Sequence, residues 1–127
     1  MPVGTVLDGR RKGEKFMKLY FYILTKETKT YSHIIRYEEC EVIEKPKAYY
    51  PLDKFPNGIY RGFVLKGEIG NFLDHYLKNV VVLDENNPEK AMKLFEERSK
   101  RRIEELNKSI SIQKSILKAV EDYRKNG

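Results

Sequence analysis

One stretch near the C-terminus limits what this chain can fold into. From Glu89 to Tyr123 neither glycine nor proline occurs. Asn87 is a good helix N-cap, Pro88 suits the first helical position where no backbone donor is needed, and Glu89 places negative charge beside the positive end of the helix dipole. Further on, Ile103, Leu106, Ile110, Gln113, Leu117 and Val120 follow alternating steps of three and four, the spacing of a coiled-coil seam with one polar member. A single helix over 87–123 would be roughly 55 Å long, more than a compact domain of this size needs. The spacing therefore predicts one long helix, or a hairpin folded near Ser109–Gln113, that packs against another copy of the chain.

What precedes the helix reads as sheet. Phe16–Leu24 is dense in aromatic and β-branched residues and predicts a central strand. After a turn at Lys26–Thr30, the run Tyr31–Lys45 predicts two strands or one bent one, with Cys40 and Val42 alternating against charged neighbours. Pro46, Pro51 and Pro56 make Ala48–Gly58 an extended connection closed by a turn at Asn57–Gly58. A strand is expected over Ile59–Lys66, a short helix over Asn71–Leu77, and a buried strand at the three valines Val80–Val82. Strand connections this short leave no room for helical crossovers. The fold class expected is thus α+β: an antiparallel sheet of about four to six strands, then a long amphipathic helix or helical hairpin that mediates oligomerisation. Residues 1–15 are expected to be a flexible leader, 16–86 the β-rich domain and 87–124 the helical segment of the same domain.

With 127 residues, 40% of them hydrophobic, the chain has enough for one core. Lys and Arg outnumber Asp and Glu by 25 to 19, a net charge of +6 that favours anionic partners without selecting one. A single cysteine rules out a disulfide within the chain and fits a reducing cytosol. No apolar run is long enough for a membrane span. His33 and His75 lie in different segments without metal-ligand spacing, and no phosphate-loop, dinucleotide, zinc-protease or nucleophile-elbow pattern occurs. Catalysis is not the expectation, and no cofactor is called for.

The densest chemistry is FEERSKRR, Phe95 to Arg102. Arg98 and Arg102 stand one turn apart on a face shared with Phe95, so two guanidinium forks and an aromatic plane converge on one surface suited to an anionic, ring-bearing ligand. The competing reading is a solvated face in which Glu96, Glu97, Glu104 and Glu105 pair with the arginines. Ser99 falls in the seam, so the apolar contact lapses at this level and leaves room for a cavity. Phe63 and Phe72, on glycine-flanked segments, are further stacking candidates, although core is the commoner fate of each.

Three segments also carry a resemblance: MKLYFYIL (17–24), EVIEKPKAYYP (41–51) and EKAMKLFEERSKRRIEEL (89–106). Together they resemble small prophage-encoded proteins of Gram-positive bacteria, and among these are similar to the first family of Thoeris anti-defence proteins, which sequester a cyclic ADP-ribose signal without cleaving it. The resemblance implies a sheet followed by C-terminal helices, dimers or higher oligomers, and nucleotide pockets where subunits meet. It implies a phenylalanine stacked on adenine, for which Phe72 stands at a suitable remove, and arginines one turn apart on the pyrophosphate, which Arg98 and Arg102 match in spacing. Asn79 is the corresponding hydrogen-bonding candidate, and Arg36 a contributor to a separate cyclic-oligonucleotide site. Implied partners are a cyclic nucleotide and further copies of the chain, in the cytoplasm of an infected bacterial cell. The rival readings are a prophage inhibitor acting by protein contact, such as an anti-CRISPR protein, and a basic DNA-binding dimer. No RNA-binding signature occurs, and nucleic acid is the less favoured partner.

Overall fold

The computed structural model describes residues 14–27, 29–30, 32–73 and 79–127. Two compact units divide the chain, Met1–Ala91 and Met92–Gly127. The first holds a five-stranded sheet: β1 Lys15–Lys26, β2 His33–Glu44, β3 Ala48–Pro51, β4 Val64–Leu65 and β5 Val80–Leu83, in the order β4-β3-β2-β1-β5. Every pairing is antiparallel. A single α-helix, α1 Pro88–Asn126, follows. The α+β class expected from the sequence is what the chain adopts.

β1 and β2 form its spine. They pair without a bulge from Lys15↔Glu44 to Lys26↔His33, with the Glu27 N–H donating to the Ser32 carbonyl at 2.7 Å where the hairpin closes. This explains why His33–Glu44 is one continuous strand and not two: β1 is equally long and offers an uninterrupted ladder. Alternation then sorts the side chains. Leu19, Phe21 and Ile23 on β1, Cys40 and Val42 on β2, Tyr49 on β3, Val64 on β4 and Val80 and Val82 on β5 share one face and form the core, closed over by Phe55, Ile59 and Leu73. On the opposite face Tyr22, Val81 and Leu83 are also buried. β5 is therefore buried on both sides, as its run of valines suggested.

Two expectations need correcting. Ala48–Pro51, read as a connection because of its prolines, is β3. Its ladder shows why the proline is tolerated: Tyr50 is opposite Ile43, and the Leu52 N–H donates to the Glu41 carbonyl at 3.1 Å, so the intervening nitrogen of Pro51 points away from β2 and beyond the end of β4. No ladder bond is lost. Ile59–Lys66, read as a strand, is extended and paired only at Val64–Leu65. Ahead of it, the Ile59 N–H donates to the Pro56 carbonyl at 3.1 Å with Gly58 at φ +93°, the turn that Asn57–Gly58 predicted. Arg61 is then held by Glu68 at 2.6 Å, and the same carboxylate accepts the Leu65 N–H at 2.9 Å, which pulls the segment off a strand path.

The helix start is where the sequence placed it. The Asn87 side-chain oxygen accepts the Lys90 N–H at 3.1 Å, the N-cap bond expected of it. The helix continues unbroken to Asn126, so the hairpin alternative is not adopted. Of the short helix expected over Asn71–Leu77, Phe72 instead bridges to Val81, while 74–78, His75 included, lie outside the described residues. So does most of the expected leader; β1 begins at Lys15. Among the described residues no helix is long and apolar enough to cross a membrane.

Candidate functional site

On α1, Phe95 and Arg98 come together as their spacing predicted. The Arg98 guanidinium carbon sits 5.7 Å from the centroid of the Phe95 ring, one helical turn away. Phe95 is buried and Arg98 half-buried, and this burial lowers the Arg98 pKa from its ordinary value, though a guanidinium remains charged. Arg102, the next turn on, contacts Glu105 at 3.4 Å, and Lys100 contacts Glu96 at 2.9 Å. Both pairs are largely exposed and contribute little stability. In the free chain Arg102 thus makes an exposed ion pair of the kind the solvated-face reading describes, and Lys100 makes another. Arg98 lies over an aromatic ring as well.

Phe72 and Asn79 lie together beside β5. The Leu73 N–H donates to the Val80 carbonyl and the Gly70 N–H to the Val82 carbonyl, both at 2.9 Å, so the segment carrying Phe72 runs along the outer edge of β5. Phe72 bridges to Val81, and the Asn79 carbonyl accepts the Leu24 N–H at 2.8 Å. By register both residues belong to the face that carries Tyr22 and Val81. Arg36 does not join them: it pairs with Ile23 on the core face of the sheet, donates to Glu38 at 2.6 Å and reaches the Asn57 carbonyl at 3.4 Å. The sheet thus keeps Arg36 apart from Phe72 and Asn79.

The tyrosines of β1 and β2 form a feature that no sequence motif singles out. Tyr37 lies 5.2 Å from Tyr22 and 6.4 Å from Tyr20 by ring centroids, and its hydroxyl donates to Glu39 at 2.8 Å. Glu39 is also paired with Lys18 at 3.1 Å. Desolvation, reinforced by Glu39, pushes the Tyr37 hydroxyl up to about 12. These residues belong to neighbouring rows on two strands, which period-two alternation locates only once the register is known.

Two hollows also flank the 52–62 loop. One, of about 440 Å³, is lined by Glu38, Glu39, Cys40, Glu41, Asp53 and Phe55 among others, a wall too acidic for a phosphate-bearing ligand. The other, of about 690 Å³, includes Tyr50, Lys54, Tyr60 and Arg61. Arg61 is already committed to Glu68.

Cys40 opens on the first hollow, with its sulfur 3.5 Å from the Lys54 carbonyl that it faces as donor. Burial, helped by Glu41 and Asp53, pushes the thiol from 9.0 up to about 11. Since only the thiolate is nucleophilic, alkylation by iodoacetamide at pH 8 is expected to run about 100-fold slower in the folded chain than in denaturant. Comparable rates would place Cys40 at the surface. The sign for stability follows from the same shift: the unfolded chain releases this proton first, so the contribution is complete below about pH 9 and is lost as the pH rises toward 11.

Compared with protein-family models, with curated proteins and with solved structures, the chain matches none.

Proposed function

We propose that this is a non-catalytic binding protein that self-associates through α1 and sequesters a phosphate-bearing nucleotide signal, of the cyclic ADP-ribose or cyclic oligonucleotide type, as a phage anti-defence protein. The observation that carries this reading is the Phe95–Arg98–Arg102 arrangement. One guanidinium lies over an aromatic ring, and a second stands one turn on, held only by a long contact to Glu105 that a diphosphate would readily replace. In this reading Phe95, being buried, positions Arg98, and the base of the ligand finds its stacking surface on another aromatic residue. The resemblance names Phe72 and Asn79 for recognition of the base and Arg36 for a separate site, roles that their own alanine variants test. The excess of positive charge favours approach of an anion over distance.

Isothermal titration with cyclic ADP-ribose isomers and cyclic trinucleotides tests it. Tight binding is expected, with the ligand recovered intact by chromatography. Arg98→Ala and Arg102→Ala are each expected to weaken binding at least tenfold while moving the thermal transition of the free protein by only a degree or two. No heat with any of these ligands would discard the reading. Variants that bind as well as the parent would remove the arginines from the site.

A further inference from the structure

The hairpin that forms the spine of the sheet is longer than its neighbours. β5 pairs only with Tyr20–Ile23, and β3 only with Val42–Glu44. The outer edge of β2 beyond Glu41 therefore has no strand beside it among the described residues. Which backbone groups lie on that edge follows from the ladder. The Glu27 N–H bonds to the Ser32 carbonyl, and hydrogen-bonded pairs alternate in an antiparallel ladder, so Thr25/Ile34, Ile23/Arg36 and Phe21/Glu38 exchange bonds within the hairpin. The amides and carbonyls of His33, Ile35, Tyr37 and Glu39 point outward. Ile34, Ile35 and Tyr37 are exposed there as well, 48%, 39% and 43% respectively. The edge is long and free of bulges, proline and lysine, apolar at Ile34, Ile35 and Tyr37 and charged at Arg36, Glu38 and Glu39, and its unpaired row of amides and carbonyls is a template for another strand whose charges match.

We infer that this edge pairs with the same edge of a second copy, the two β2 strands running antiparallel about Arg36. The sequence of the edge is complementary to itself in that register. His33 stands opposite Glu39 and Ile35 opposite Tyr37, each pairing made twice, and all the outward amides and carbonyls from His33 to Glu39 are used. On the other face the two Arg36 side chains meet at the dyad. Each is neutralised by its own Glu38 at 2.6 Å, so the meeting brings together a cluster of alternating charges and not two bare cations. A shift by two residues would set His33 against Glu41, whose carbonyl already accepts from Leu52. The sheet would then continue across the two-fold axis, an interface distinct from the helix stripe.

Arg36→Cys tests the register directly. Residues opposed at a non-hydrogen-bonded position have Cα atoms about 4.5 Å apart, within disulfide range. Mild oxidation of Arg36→Cys is expected to give a covalent dimer on a non-reducing gel. Ile34→Cys, whose neighbour in the second copy is Glu38, is expected to give at least tenfold less. Cys40, buried and hard to ionise, does not compete. Ile35→Pro removes an outward amide and leaves the β1 ladder intact, so in combination it is expected to abolish the Arg36→Cys product. Ile110→Lys with Leu117→Lys is expected to leave that product in place, so that failure of helix assembly and failure of edge pairing are read separately. No dimer from Arg36→Cys, or equal yields from positions 34 and 36, overturns the inference; a strand from a different protein on this edge would give the first of these results.

Discussion

Phe21→Ala is expected to cost about 3–5 kcal/mol, the usual range for removing a fully buried ring. Phe21 has no exposed surface, packs its ring 5.6 Å from that of Phe55, and sits on β1 between Glu38 of β2 and Val82 of β5. The Phe55 ring comes from the loop that closes the core, so shrinking Phe21 loosens the sheet and its cover together. Against a total stability of about 5–15 kcal/mol, the loss lowers the melting temperature by more than about 10 °C. Urea titration followed by circular dichroism at fixed protein concentration measures it. Phe63→Ala is the comparison: that ring is 40% exposed and touches Tyr50 at 5.7 Å, so its loss is expected to cost about 1 kcal/mol or less. Equal effects at the two positions would refute the assignment of the core face.

The second large effect concerns the state of assembly. Ile103, Leu106, Ile110, Leu117 and Val120 are all exposed on α1, and Ile112, Ile116 and Tyr123 extend the apolar surface beside them. The resulting stripe is wider than the two-residue-per-heptad seam read from the sequence, which suits a helix with more than one neighbour. If copies associate through it, Ile110→Lys with Leu117→Lys removes at least four buried side chains from a pair of chains. At about 1.5 kcal/mol each, that is roughly 6 kcal/mol, or about 10⁴-fold in dissociation constant. Sedimentation or native mass measurement at tens of micromolar is expected to show an oligomer for the parent and a far larger share of 15.0 kDa species for the variant. A parent that is itself 15.0 kDa would show that the stripe does not hold copies together.

Elements with a local chemical signature were legible in the sequence. Asn87, Pro88 and Glu89 announce the helix start because capping depends on residues within one turn, and the three valines announce β5 because double burial needs apolar residues on both sides. β3 was illegible for the opposite reason. Whether Pro51 breaks a strand depends on which way its nitrogen faces, and that is decided by its partner Val42, nine residues earlier. The functional segment divides in the same way. The turn between Arg98 and Arg102 is a matter of spacing, so it could be read directly. That Arg98 rests on Phe95 while Arg102 leans to Glu105 is a matter of rotamers and burial, which spacing does not specify. The separation of Arg36 from Phe72 likewise appears only with the register.

The bulge-free β1–β2 hairpin also bears on the order of folding. Its ladder joins residues close in sequence, so it closes with little loss of chain entropy, whereas β5 must return to β1 across the long excursion between Glu44 and Val80. Because β1 and β2 precede β5 in the chain, both strands leave the ribosome before Val80–Leu83 does. Until it does, Tyr20, Tyr22 and Leu24 present an unfilled edge on the β1 side, and the nascent chain is a two-edged ribbon open to mispairing. Late arrival of the valine strand seals one of those edges.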